Sequence, residues 1–166
     1  MKQTIIAVIC FLCVSSLYIQ AQKINHPSLL YTPQRIQQVK QRMQHEPKLQ
    51  EAWGDIKRTA DEALQKKDFN RLDYLSLAYL MTDNKEYADV IKEILLKTVE
   101  AESWGDVEMM ARIPAWRSQL GMAHKSFLSA VGYDAAYNVM SSSERKKIAE
   151  GLKRLAVEPA LGDWLL

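Results

Sequence analysis

Between Trp116 and Val157 the sequence sets two helical patterns of different kinds end to end, and that succession constrains the fold more than any other feature. In the first, Leu120, Phe127, Leu128, Val131 and Ala135 supply apolar bulk, while Gly121, Ala123, Ala130 and Gly132 leave little to protrude on the remaining faces. A helix so composed is predicted to be an inner one, enclosed on most sides. The second opens at Ser141-Ser142-Ser143-Glu144, where Ser141 and Glu144 have capping-box spacing. Ile148, Ala149, Leu152, Leu155 and Ala156 then fall on one stripe, and Arg145, Lys146, Lys147, Lys153 and Arg154 are left for water. That is the pattern of an outer helix.

The same pair occurs upstream. Leu72 to Met81 is short and mostly apolar, with Leu75, Leu77, Ala78, Tyr79 and Leu80 covering more than one face. Thr82-Asp83-Asn84 turns the chain, Asp83 and Glu86 have capping spacing, and Tyr87, Val90, Ile91, Ile94 and Leu95 form a one-sided stripe. Ala78-Tyr79 corresponds to Ala136-Tyr137, and Val90 and Ile94 to Ile148 and Leu152, an offset of 58 residues. The period is too long for tetratricopeptide-type repeats of about 34 residues. It predicts an all-α fold of antiparallel helical hairpins and suits an α/α barrel or toroid, in which loops between hairpins build a cleft.

Before the repeat, His26-Pro27-Ser28-Leu29-Leu30 reads as an extended entry segment, since a residue before proline avoids the helical region. Thr32 caps a helix with Pro33 at its first position, Tyr31 is placed to staple onto Ile36, and Ile36, Val39 and Met43 share a face. A second helix follows Pro47, with Leu49, Ala52, Trp53, Ile56, Ala60, Ala63 and Leu64 on a stripe of helical period. Only 6 glycines and 5 prolines occur, the prolines at segment edges, which favours helices over many short strands.

Residues 1–21 read as a targeting segment: Lys2, an apolar run from Ile5 to Ile19, then Ala21 as the last residue before cleavage. The run is short for a membrane span and has no stop-transfer flank. A periplasmic or secreted chain beginning near Gln22 is expected, with no membrane attachment once the signal is removed. Cys10 and Cys13 both lie in the run, so the exported 22–166 segment has neither disulfide nor thiol nucleophile. It is long enough for one domain with a real core. With 22 Lys and Arg against 20 Asp and Glu, the near-neutral balance gives no reason to expect a nucleic-acid partner.

The segment from Ser103 to Ser118, joining the two repeats, is the least regular and the most chemically loaded. Loops on a rigid helical frame are where binding groups collect. Trp104, Arg112, Trp116, Arg117 and Gln119 are the candidate substrate-binding residues. An indole ring can stack on a pyranose face while a guanidinium takes a carboxylate bidentately, which suits a sugar acid. The structural alternative is that Trp104 and Trp116 plug the gap between hairpins. Asp106 and Glu108 are the loop's carboxylates, too close in sequence to face each other across a scissile bond as a glycosidase requires. His26 and His45 are expected in solvent, His124 inside the inner helix as a hydrogen-bonded core residue, and Tyr79, Tyr133 and Tyr137 in the core. Asp134 is placed to anchor a loop or helix end. No metal-ligand spacing and no phosphate loop is present, so neither metal nor cofactor is expected.

Three stretches in order resemble the N-terminal helical domain of heparinase II/III-like polysaccharide lyases. They are His26-Pro27-Ser28-Leu29-Leu30 with the Thr32-Pro33 helix; Lys48-Leu49-Gln50-Glu51-Ala52-Trp53; and Gly132-Tyr133-Asp134 to Tyr137 with Met140-Ser141-Ser142-Ser143-Glu144-Arg145. The resemblance implies an incomplete α/α toroid acting on an acidic polysaccharide or oligosaccharide by β-elimination at a uronic acid. In that reaction a neutraliser quiets the carboxylate, a Tyr or His takes the C5 proton, and an acid assists the leaving group. None of the family's catalytic motifs is matched, so no catalytic residue is assigned. The apolar ending Gly162-Asp163-Trp164-Leu165-Leu166 adds the expectation that the chain is a fragment, missing further toroid hairpins and a β-sandwich.

Overall fold

The computed structural model describes residues 24–165. The predicted signal segment, with both cysteines, lies outside the described residues. Among the described residues the fold is all-helical. The helices are α1 (Pro33–Met43), α2 (Pro47–Lys66), α3 (Leu72–Thr82), α4 (Lys85–Thr98), the single turn α5 (Val107–Met110), α6 (Leu120–Ala136), α7 (Ser142–Leu152) and α8 (Glu158–Trp164). None of them is long and apolar enough to cross a membrane.

The two inner helices are α3 and α6. They pack on each other, α2 and α4 cover α3, and α4 and α7 cover α6. Leu72, Leu75 and Ala78 of α3 meet Ile91 and Leu95 of α4, Leu128 and Ala136 of α6 and Ile148 of α7 in one buried cluster. Close approach depends on small residues. A Cβ on Gly132 would lie 3.3 Å from both Ile91 Cγ2 and Leu72 Cδ2, and one on Gly151 would stand 2.7 Å from Val99 Cγ1. α6 and α7 can therefore sit against α3 and α4 only because these positions carry no side chain.

Local signals that close within four residues behave as predicted. Thr32 Oγ1 accepts the Arg35 N–H at 3.3 Å with Pro33 at the first position of α1. Ser141 and Glu144 form the reciprocal capping box of α7.

Other expectations are corrected. Asp83 does not cap α4. It ends α3 in a left-handed conformation (φ 57°), which a short polar side chain tolerates. The cap is Asn84, whose Oδ1 accepts the Glu86 N–H at 3.0 Å. α6 begins at Leu120 and is enclosed only in its C-terminal half: Leu120 is 86 % and Phe127 53 % exposed, because no described element covers that face. His124 on the same half is exposed rather than buried. On the outer helix Ala149 faces water, and a π-helical turn over Lys153–Val157 re-registers the stripe so that Leu155 and Ala156 still reach the core. The chain then continues into α8, with Pro159 in its first turn.

Candidate functional site

The joining segment leaves α4 through Val99 and immediately buries Trp104, which is 4 % exposed and donates its indole N–H to Thr98 O at 3.3 Å. Asp106 Oδ1 then accepts the Glu108 N–H at 2.9 Å and starts α5. Its carboxylate thereby caps the helix. Past α5 the backbone folds back, with Trp116 N–H donating to Met109 O at 3.1 Å.

What fixes the end of the segment is Asp163 of α8. Its Oδ2 accepts the backbone N–H of Arg117 at 2.5 Å and of Ser118 at 2.6 Å, and the Ser118 hydroxyl at 2.9 Å. Its Oδ1 accepts from Arg117 Nη2 at 3.1 Å. The Asp163 side chain is only 2 % exposed. Burial would raise its carboxyl, yet the Ser118 and Arg117 amides, the Ser118 hydroxyl and the guanidinium outweigh it and hold the group down at about 2. Gly162 gives Arg117 its place, since a Cβ there would collide with Nη2.

Of the five residues singled out from the sequence, Arg112, Trp116 and Gln119 come together. They line an open cavity of about 500 Å³ with Met109, Leu120 and Trp164. Trp116 and Trp164 meet edge to face, centroids 5.0 Å apart at 70°. Arg112 is exposed, its Nη1 3.5 Å from Met109 Sδ, and it pairs with no carboxylate among the described residues. Arg117 stands beside this cavity with its charge already matched by Asp163. Trp104 is not part of it. Its indole fills the gap below the loop, and its accessible edge belongs to a different cleft. Met109, Ser118, Leu120 and Trp164 are lining residues that are not among the candidates read from the sequence; Trp164 comes in from α8.

A second cluster joins His26, expected in solvent, to Asp134, expected to anchor a loop or helix end. Asp134 is 3 % exposed and sits inside the entry segment's turn. Its oxygens accept the amides of Ser28 at 2.9 Å and Leu29 at 2.8 Å, and Oδ1 lies 2.6 Å from His26 Nδ1. Burial opposes ionisation of Asp134, but the bond from His26 and the amides of Leu29 and Ser28 lower it on balance, so the imidazole is the donor. The His26 ring stacks on Tyr137 at 3.8 Å, Arg145 covers Tyr137 at 4.7 Å, and Asn138 Nδ2 donates to His26 O at 2.8 Å. His26 is thus held, not solvated, and the cluster is a latch between the entry segment and the end of α6. No group of three or more His, Cys, Asp or Glu placed to hold a metal occurs among the described residues.

No family model matches the chain, and comparison with the curated proteins and with the solved structures returns no match.

Proposed function

We propose that the chain is the N-terminal helical part of a periplasmic or secreted lyase that cleaves uronic-acid-containing polysaccharide by β-elimination, and that this part holds the glycan without breaking it. The observation that carries the reading is the Asp134 latch. Two of the three stretches that resemble heparinase II/III-like lyases, His26-Pro27-Ser28 and Gly132 to Tyr137, lie over 100 residues apart and meet in one hydrogen-bonded cluster. Their shared presence therefore has one structural cause. On this reading the α3–α4 and α6–α7 hairpins are successive hairpins of an incomplete α/α toroid.

The glycan would lie in the cavity beside α5. The Trp116–Trp164 pair offers an aromatic edge to a sugar face, and Arg112, which pairs with no carboxylate among the described residues, supplies a cation to meet a carboxylate. Among the described residues neither a Tyr nor a His lines that cavity, so none is given the proton-abstracting role.

The test is calorimetric titration with oligouronates, paired with absorbance of the unsaturated uronic ends that β-elimination creates. Binding without new absorbance is expected. Absence of binding to every uronate polymer tried would sink the reading, and turnover would overturn the assignment of binding alone.

A second reading, a non-catalytic exported module that binds glycans or a protein, is favoured by the apolar groove between α6 and α8. Met122, Ala123, Ala160, Leu161, Trp164 and Leu165 line about 730 Å³ there, an apolar groove that no described element covers. Self-association reversed by Leu161→Asp, with no affinity for uronates, would select it.

A further inference from the structure

The first half of α6 and the outer side of α8 share an apolar face that no described element covers. Leu120 and Phe127 stand out from α6, 86 % and 53 % exposed, and Val157, Leu161, Trp164 and Leu165 beside them are 50 %, 44 %, 67 % and 73 % exposed. The face is continuous, since Trp164 borders Leu120 on one side and Val157, Leu161 and Leu165 on the other. At roughly 200 Å² for a fully exposed large apolar residue, these fractions come to about 750 Å². The largest apolar patch of a typical monomer is about 300–600 Å², whereas one partner in a standard protein–protein interface contributes about 800 Å².

The face has a raised part and a recessed part. Beside the Leu120 and Phe127 ridge runs the groove between α6 and α8, kept concave by the short side chains of Ala123, Ala156 and Ala160. Among the described residues its lining carries no charged side chain. Its two hydroxyls are already bonded, Ser118 Oγ to Asp163 Oδ2 at 2.9 Å and Ser126 Oγ to Met122 O at 2.7 Å, so nothing in the groove calls for a polar ligand. The charged side chains that adjoin it in sequence are paired within the copy, Arg117 with Asp163 at 3.1 Å and Lys153 with Glu158 at 3.6 Å. Such a surface meets its own image without like-charge repulsion. An isologous interface needs one patch complementary to itself, and a ridge beside a groove satisfies that condition.

We propose that the partner of this face is a second copy of the chain, in a two-fold dimer where the Leu120 and Phe127 ridge of each copy enters the α6–α8 groove of the other. Phe127 lies about one helical turn beyond Ala123, so ridge and groove run side by side along α6 and the two-fold axis passes between the paired α6 helices. Both copies together then bury about 1,500 Å², within the standard class of stable interfaces. The cores of such interfaces are depleted in charge and enriched in aromatic residues, as the Phe127 and Trp164 face is. The dimer does not rest on the lyase reading. It is compatible with the alternative reading too, which requires in addition that uronates fail to bind.

The experiment is sedimentation velocity on the chain from Gln22 onward, the exported form on either reading. Interfaces of this area have micromolar or tighter dissociation constants, so a dimer is expected at roughly 100 µM. Phe127→Lys and Leu161→Asp, both at exposed positions, should each give a monomer with unchanged helicity by circular dichroism. Mixing the two variants should restore a one-to-one dimer, because the introduced lysine then faces the introduced aspartate at one contact while the other contact keeps its parental side chains. Lys48→Asp, on an exposed turn of α2, should leave the dimer unchanged. A parent that stays monomeric overturns the proposal, as does an open series of larger species, which a closed two-fold pair does not form. Two single variants that remain dimeric place the interface elsewhere, and a mixture that remains monomeric rules out the ridge-in-groove pairing. A monomer that floats with phosphatidylcholine vesicles, and loses that property in Leu161→Asp, assigns the face to a lipid surface and overturns the dimer.

Discussion

Asp134 Oδ1 stands 2.6 Å from His26 Nδ1, a contact that spans 108 positions of sequence and ties the entry segment to the last turn of α6. The same carboxylate accepts two backbone amides of that segment and the Ser28 hydroxyl, so its removal strands four donors at once. Because the segment can swing out and rehydrate them, Asp134→Ala should cost about 1–3 kcal/mol rather than the sum of four bonds. Urea unfolding measures this. A midpoint unchanged from the parent would show that the latch contributes nothing to stability. Asp134→Asn should recover only part of the loss, since the amide keeps one acceptor and loses the charge that strengthens it.

Acid should loosen α8 before it unfolds the rest. Asp163 has its carboxyl depressed from 3.8 to about 2 by the amides, hydroxyl and guanidinium around it. A depressed carboxyl stabilises the fold above its unfolded value and loses that contribution as pH falls through its folded value. The window is therefore from about pH 4 down to about pH 2. Asp134, lowered in the same direction, adds to the slope. Stability profiles of the parent and of Asp163→Asn should converge at the bottom of that window and separate above it. Parallel profiles throughout would mean that the carboxylate's ionisation is not coupled to folding.

How much could be read from sequence followed the range of each interaction. Thr32 with Pro33, and Ser141 with Glu144, were legible because a cap and its partner are three residues apart and the backbone brings them together unaided. Asp83 and Asn84 were misassigned by one place, since two adjacent residues of the same capping type cannot be ranked without knowing which one the left-handed exit requires. The bonds of Asp134 to His26 and of Asp163 to Arg117 join residues 108 and 46 positions apart and leave no periodic trace. Leu120 and Phe127 were read as buried because composition reports the apolar character of a face, never whether a neighbour stands against it. The loop's chemistry was legible as residue types, but the sorting of Trp104 into the core and Arg117 into an ion pair depended on α4 and α8.

Gly151 offers a test of the α4–α7 contact. Any Cβ there meets the branched side chain of Val99, which is 4 % exposed and has little room to yield. Gly151→Ala should destabilise by about 1–3 kcal/mol through overpacking, despite the better helix propensity of alanine. Val99→Ala costs stability alone but makes room for the methyl group. The double variant should therefore be more stable than the two single losses predict, by about 0.5 kcal/mol or more. Strict additivity would mean that the helices separate freely and that the close approach is not needed.

The cavity beside α5 separates residues that bind from residues that only build. Arg117 is matched by Asp163, whose side chain is 2 % exposed. Arg117→Ala removes the guanidinium while the two amides and the Ser118 hydroxyl still satisfy the carboxylate. It should lower stability by about 1–2 kcal/mol, a charged hydrogen bond at a half-exposed site, and leave oligouronate affinity within a factor of two. Arg112→Ala should do the reverse, because its guanidinium is exposed and pairs with no described carboxylate, so nothing in the fold depends on it. A loss of about tenfold in affinity, with an unchanged urea midpoint, is the expected result for a charge-assisted bond to a carboxylate. Trp116→Ala should affect both, since the ring packs on Trp164 and also faces the cavity. Measured together, the three variants give stability loss alone, affinity loss alone, and both. Should Arg117→Ala be the one that abolishes binding while Arg112→Ala is silent, the ligand displaces Asp163 from its arginine, and the free cation of this site has been assigned to the wrong residue.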